Sequence, residues 1–429
     1  MRFVSVLFIV LSQPLAAQLV PTERRITAAV DAGVADVLAL VERSVNINSG
    51  THNYDGVRSV GRLFQAEFDR LGFTTRWVDG SGWGRAGHLI AEWRGNGRGP
   101  NVLFIGHLDT VFEPDSPFQR WERLSDTTAR GPGSTDMKGG NAIMLLALRA
   151  LRDAGRLDDI QVTVVLTGDE EDAGRPLRLA RADLVAAADW ADIAIGFEDG
   201  DGNPETAVVG RRGSTGWTLT VSGRSAHSSQ VFREDIGYGA IYEAARILNA
   251  MRDSLAGEPN LTFNPGMIVG GTAITHDSVE SRGTAAGKGN VIAEHAIVTG
   301  DIRALTPEQL ERSKAAMRAL VARHLPHTSA EIAFDDGYPP LAPTEGNYRL
   351  LALFDQASRD LGFGPVRAVD PARAGAADVA FVAGRVDMAI DGVGLMGDGG
   401  HTVTETADLR SLAIQAKRVA VVMHRLIGT

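Results

Sequence analysis

Five short segments, far apart in the chain, carry side chains that bind metal ions or move protons. They are GHLDTVF with His107 and Asp109, GSTDMKGG with Asp136, TGDEED with Glu170 and Glu171, AIGFEDGD with Glu198, and GDGGHTVTE with His401. Taken singly each is weak. An HxD pair is usually a surface or capping pair, and adjacent glutamates are usually a solvated helix face. Here the clusters recur at, or just after, the ends of apolar runs, and open parallel sheets gather ligands at the carboxyl ends of their strands. His107 and Asp109 are two apart, so on a strand they point to one side. Asp109 can then hold the second ring nitrogen of His107, as metal-binding histidines require.

The charge of the set fits a pair of divalent cations. The chain has no cysteine, so zinc ligation falls to His, Asp and Glu. Two Zn²⁺ ions meet three carboxylates (Asp136, Glu171, Glu198) and two neutral imidazoles (His107, His401). With Asp136 as a bridge, each ion receives one histidine, one terminal carboxylate and the bridge, leaving positions for water and substrate. Glu170, beside a ligand yet outside the set, is the candidate general base, passing its proton to a leaving amine. Without metal these carboxylates repel one another and some take up protons. A serine nucleophile is disfavoured, because no GxSxG elbow lies between a strand and a helix.

Such residues need a scaffold. NVLFIGH, QVTVVLTG and ADIAIGF are nearly continuous apolar runs, the pattern of strands buried on both faces. A glycine-opened helix over 139–154 lies between the first two, which implies right-handed crossovers and a mostly parallel sheet. Helices over 25–45 and 57–71 and the β-rich runs TTRWV and HLIAEW precede them. Near Val208 the pattern changes: GSTGWTLTVSG alternates as a half-solvated strand should. A helix over 236–252, strands around NLTFNPGMIVG and NVIAEHAIVTGDIR, a helix opened by Thr306-Pro307-Glu308, and the strand AEIAFDDG follow. That βαββαβ order is the split ferredoxin-like unit. After Tyr338-Pro339-Pro340 the helix and strand alternation resumes. The expected architecture is an α/β domain (18–207 and 338–429) interrupted by an inserted α+β lid (208–337), since 429 residues exceed one ordinary core.

Composition narrows the function classes. With 44% hydrophobic and 22% charged residues the chain has the balance of a globular protein, and a net charge of -10 argues against a nucleic-acid partner. Met1-Arg2, the run FVSVLFIVL and Pro14-Leu15-Ala16-Ala17 form the pattern of a cleaved signal peptide over 1–17. The expected location is therefore secreted or periplasmic, and no later stretch is long and apolar enough to cross a membrane.

GHLDTVF, GPGSTDMKGG, DEE, FE and a late GGH, in this order and spacing from about Ser49 to the C-terminus, resemble the di-zinc metallopeptidase superfamily of glutamate carboxypeptidases, acetylornithine deacetylases and aminoacylases. The resemblance implies a zinc-binding catalytic domain with a mixed, mostly parallel sheet, plus a ferredoxin-like lid that forms the contact of a homodimer. It assigns His107 and Glu198 to one zinc, Glu171 and His401 to the other, and Asp136 between them. Glu170 takes the base position and Asp109 the position behind His107, and the peptide bond after Asp136 is implied to be cis. In the lid, GRSAHS gives His227 a role at the oxyanion of a neighbouring subunit's site, and GNVIAE gives Asn290 a substrate contact. RAGAAD places Arg373 near the substrate carboxylate, which Arg can hold in bidentate fashion. Ala293 where the family usually has proline, Tyr338 where many members have arginine, and a glycine-poor RAGAAD all depart on the expected substrate side.

HLDTVF and SGTHNYDGV are closest to the glutamate carboxypeptidase branch. The expectation is an exported zinc exopeptidase acting on small peptides or folate-like amides, cleaving next to a free carboxylate. An N-acyl-amino-acid deacylase uses the same chemistry and grips the other side of the bond. A non-catalytic peptide-binding protein would have lost its base, yet Glu170 and every ligand position are filled.

Overall fold

The computed structural model describes residues 19–278 and 280–427, so the expected leader over 1–17 lies outside the described residues. The first sheet has six strands, in the order Thr74–Asp79, Gly87–Trp93, Gln161–Thr167, Asn101–His107, Ile193–Gly196, Met388–Ile390. Three of its pairings are parallel and two antiparallel, the latter both involving Gly87–Trp93. The three continuous apolar runs are its central strands, buried over almost their whole length. Helices cover both faces. On one, the helix Gly139–Asp153 lies against Pro21–Val45 and Leu409–Leu426. Its residues Ala142 to Leu148 are all buried, as an apolar helix demands when packed on every side. On the other face, Leu184 and Ala188 of the helix Ala182–Trp190 join Ile90, Leu103, Ile105 and Val165 of the sheet.

The first helix begins at Pro21, earlier than its apolar stripe suggests. Proline is pre-set for the first turn, and Glu23 accepts the backbone N–H of Val20 at 2.9 Å.

The lid has its own core, which includes Trp217, Leu219, Val221, Ile247, Val298 and Met317. Its sheet is antiparallel, in the order Thr262–Gly271, His295–Arg303, Thr215–Gly223, Thr328–Asp336. The helices Gly239–Leu255 and Pro307–Val321 pack against it, the second capped by the Thr306 hydroxyl, which accepts the N–H of Gln309 at 3.1 Å. Three features differ from expectation. The strand expected from Asn290 begins at His295, residues 290–294 forming a loop with an isolated bridge at Val291. The helix expected from 236 starts at Gly239, because Gly237 and Gly239 both take positive φ in the turn before it. A hairpin, Ala273–Asp277 with Arg282–Ala286, occupies a stretch that sequence pattern passed over. Its small and polar residues carry little periodicity, and a cross-strand hydroxyl pair, Thr275 with Thr284 at 2.6 Å, helps to hold it.

The two chain segments that join lid and catalytic domain run side by side. Arg211 and Leu341 exchange backbone hydrogen bonds, and Ser214 N–H donates to the Tyr338 carbonyl at 2.8 Å. Among the described residues no helix is long and apolar enough to cross a membrane.

Candidate active site

Register places the first candidate ligands. His107 ends its strand opposite Thr167, and Ile105 pairs with Gly196, so the loops carrying Glu170, Glu171 and Glu198 leave the sheet beside His107. The glycine-opened helix then docks close to these strand ends. A Cβ on Gly140 would lie 2.0 Å from the Phe197 carbonyl oxygen, and Asn141 donates to the His107 carbonyl at 2.6 Å. Asp136 sits in the turn Ser134–Lys138 just before that helix, and its peptide bond to Met137 is cis. His401, at a positive φ of 62°, lies in the loop between the short strands Gly397–Asp398 and Thr406–Asp408.

Five side chains converge. His107, Asp136 and Glu198 bring one ligand atom each within 4.8 Å of one another, and so do Asp136, Glu171 and His401. Asp136 is common to both groups: His107 Nε2 lies 2.8 Å from its Oδ1 and His401 Nε2 lies 2.8 Å from its Oδ2. Glu198 is 3.5 Å from His107, and Glu171 is 3.2 Å from His401. Glu170 joins neither group. Asp109 is fully buried, accepting from the Thr51 hydroxyl at 2.6 Å and from the backbone N–H groups of Glu170 and Glu171 at 3.0 and 3.1 Å. His107 Nδ1 faces the Asp109 carbonyl at 3.1 Å and its carboxylate at 3.4 Å.

The electrostatics are those of a site built for cations. Burial, then Asp136, pushes Glu171 up to about 7. Burial also raises Glu170, reinforced by Asp378, Glu171 and Asp136 against the pull of His107. Glu198 is raised by burial and by Asp136. Hydrogen bonds to Asp136 and Glu171 push His401 up to about 11. Burial alone would lower His107, but Glu198, Asp109 and Asp136 outweigh it and hold it well above the usual histidine range. Four clustered carboxylates against two imidazoles leave excess negative charge, and the mixed oxygen and nitrogen donor set suits a divalent transition metal. The residues present fit a metal pair.

Several supports lie outside the residues that the sequence singled out. Asp391 accepts the N–H of Glu198 at 3.2 Å and is paired with buried Arg211 at 2.7 Å. Glu405, four residues beyond His401, accepts from the backbone of Gly133 and Thr135 at 2.9 and 2.8 Å and so grips the Asp136 loop. Asp199, beside Glu198, is pushed up to about 7 by burial and by Asp136.

The candidates expected on the substrate side divide. His227 and Asn290 are both exposed and adjacent on the lid, where His227 bridges Val291 and Ser228 N–H donates to the Asn290 carbonyl at 2.9 Å. Arg373 is 64% exposed and ion-paired to Asp201 at 3.0 Å. Tyr338 turns inward instead, donating to the Glu170 carbonyl at 2.9 Å. Asp378 of RAGAAD is likewise buried, in a pair with Arg181.

Residues 103–425 match the model of peptidase family M20/M25/M40. Carboxypeptidase G2 of a Pseudomonas species (strain RS-16) is 27% identical over 375 residues, 85% of this chain and 83% of that protein. Succinyl-diaminopimelate desuccinylase of Acidiphilium cryptum (strain JF-5) is 28% identical over 398 residues, 88% of this chain and 96% of that protein. In fold, the chain is similar to the crystal structure of aminopeptidase PepT from Bacillus cereus, with a TM-score of 0.71 at 18% identity, covering 92% of this chain and 99% of that one. The chain belongs to peptidase family M20/M25/M40 and is a metallopeptidase or amidohydrolase of peptide or acyl-amino-acid amide bonds.

Proposed function

We propose that the chain is an exported two-zinc exopeptidase of the carboxypeptidase type, hydrolysing an amide bond next to a free carboxylate. The observation that carries this reading is the pair of ligand groups sharing Asp136, with Glu170 beside them and in neither. His107 and Glu198 would hold one zinc, Glu171 and His401 the other, and Asp136 would be shared between them. When bound, the metals supply Lewis-acid polarisation of the scissile carbonyl and lower the pKa of water. Glu170 takes the proton of the attacking water and delivers it to the leaving amine, its carboxylate lying outside both ligand groups. Asp109 fixes the imidazole of His107 and the backbone of the two glutamates. In the lid (208–337), His227 stabilises the oxyanion across a homodimer and Asn290 contacts substrate, while Arg373 receives the substrate carboxylate by exchanging it for Asp201.

Similarity to carboxypeptidase G2 over most of both chains supports the carboxypeptidase assignment, and the leader-like residues 1–17 support export. The second reading, an N-acyl-amino-acid deacylase, is favoured by the desuccinylase match over nearly the whole of that protein. Incubation with a mixture of dipeptides, N-acyl amino acids and folates, followed by mass spectrometry, separates the two. A released C-terminal amino acid from peptides or folates is expected, and a free acid from N-acyl amino acids alone would favour the deacylase. Chelator should abolish either activity and Zn²⁺ restore it; indifference to chelator contradicts both.

A further inference from the structure

Glu170 belongs to neither ligand group, so the route of its side chain depends on how its backbone is held. Two partners hold it: the peptide N–H donates to Asp109 at 3.0 Å, and the carbonyl accepts from the Tyr338 hydroxyl at 2.9 Å. The direction of the second bond is forced. Arg181 Nη2 donates to the same hydroxyl oxygen at 2.6 Å, and guanidinium has no acceptor, so the phenolic proton must go to Glu170. Arg181 is itself immobilised and 1% exposed. Its Nε donates to Asp378 at 2.6 Å, Nη1 to Asp169 at 2.7 Å, and Nη2 also to the Asp169 carbonyl at 3.1 Å. Asp378 is in turn bound by the Thr167 hydroxyl at 2.6 Å, at the end of the strand that carries the glutamates. The Tyr338 ring packs edge-on against Phe381, with centroids 5.1 Å apart.

A buried ionic cluster of this kind is a poor way to gain stability, because desolvating three charges offsets much of their attraction. It is a good way to fix a geometry. Tyr338 also lies in the segment leaving the lid, and its carbonyl accepts from Ser214 in the segment entering it. The hydroxyl thus ties both crossings to the peptide of the base.

We propose that Tyr338, oriented by Arg181, is a positioning residue for Glu170 that links the general base to the crossings between lid and catalytic domain. The inference rests on Glu170 being the base. Hydroxyl removal leaves the ring, the metal ligands and the substrate contacts in place, so turnover should fall while binding does not.

The test is Tyr338→Phe in the metal-loaded, full-length enzyme, alone and combined with Glu170→Gln. The expected result is a fall in kcat on the order of 10-fold or more, with KM unchanged within about 2-fold and metal content equal to wild type. On the Glu170→Gln background the same substitution should cost nothing further in the residual rate, because the group it positions is gone. Wild-type kcat for Tyr338→Phe overturns the inference, as does an equal proportional loss on both backgrounds or a loss confined to KM or metal content. Glu170→Gln alone keeps the two failures apart: wild-type turnover in that variant removes the base assignment itself. An inactive Glu170→Gln beside a normal Tyr338→Phe removes only the positioning role.

Discussion

His107 and His401 meet across one carboxylate: Nε2 of each lies 2.8 Å from a different oxygen of Asp136. Both ligand groups therefore depend on the loop that carries Asp136, and that loop is gripped from outside by Glu405. One Glu405 oxygen accepts the N–H of Gly133 and the other that of Thr135, with the Ser134 and Thr135 hydroxyls at 3.2 Å. Glutamine keeps a single acceptor oxygen and turns an NH₂ towards a backbone donor. Glu405→Gln should weaken both metal sites together, by about 10- to 100-fold. Competition with a chromophoric chelator reads this directly, and loss at one site alone would contradict a common dependence on the loop.

The metal-free protein should lose stability as pH rises from about 4.5 to 7. Burial and Asp136 push Glu171 from 4.5 up to about 7, and burial and Asp136 push Asp199 from 3.8 to about 7. A raised folded pKa gives stabilisation that is complete below the unfolded value and lost as pH climbs through the folded one. His401, pushed to about 11, has the same sign but acts above 6.5. Asp136 is lowered and has the opposite sign, acting below 3.8, while Lys138, lowered to about 7 by burial, opposes only from there up to 10.5. Each tenfold change in proton affinity is worth about 1.4 kcal/mol, so Glu171 alone contributes on the order of 3 kcal/mol. Urea unfolding at pH 5 and pH 7 with chelator checks it. Saturating Zn²⁺ should reverse the trend, because ligands must be deprotonated to bind. A metal-free protein more stable at pH 7 than at pH 5 would refute the account.

The close docking of helix on strand end makes its own prediction. A Cβ at Gly140 meets the Phe197 carbonyl oxygen at 2.0 Å, and backbone cannot swing aside as a side chain can. Gly140→Ala should cost about 1–3 kcal/mol and displace Glu198, the next residue, lowering metal occupancy between His107 and Glu198. Thermal unfolding and elemental analysis together decide it, and an unchanged melting temperature with full occupancy would be the contrary result.

The parts that the sequence made legible share a physical reason. Central strands such as Asn101–His107 are buried on both faces, so their apolar runs stand out, and the candidate ligands at their ends are marked by an abrupt change to charge. The lid's alternating strand at Thr215–Gly223 was equally clear. What stayed hidden depends on contacts between distant residues. Nothing in the spacing of Arg181, Tyr338 and Asp378 says that they surround the peptide of Glu170, and Asp391 gains its role only because register sets Gly196 beside it. Glu405 had one usable clue, its place four residues after His401 in a glycine-rich loop. The hairpin of Ala273–Asp277 with Arg282–Ala286 stayed hidden for the opposite reason: none of its residues is fully buried, so its mostly small and polar sequence needs no apolar alternation.

Anomalous X-ray diffraction at the zinc edge, on crystals grown with Zn²⁺, tests the two-metal arrangement most directly. Two peaks about 3.5–4 Å apart are expected on either side of Asp136, one facing His107 and Glu198 and the other facing Glu171 and His401. A single peak, or density that leaves Asp136 uncoordinated, would contradict it.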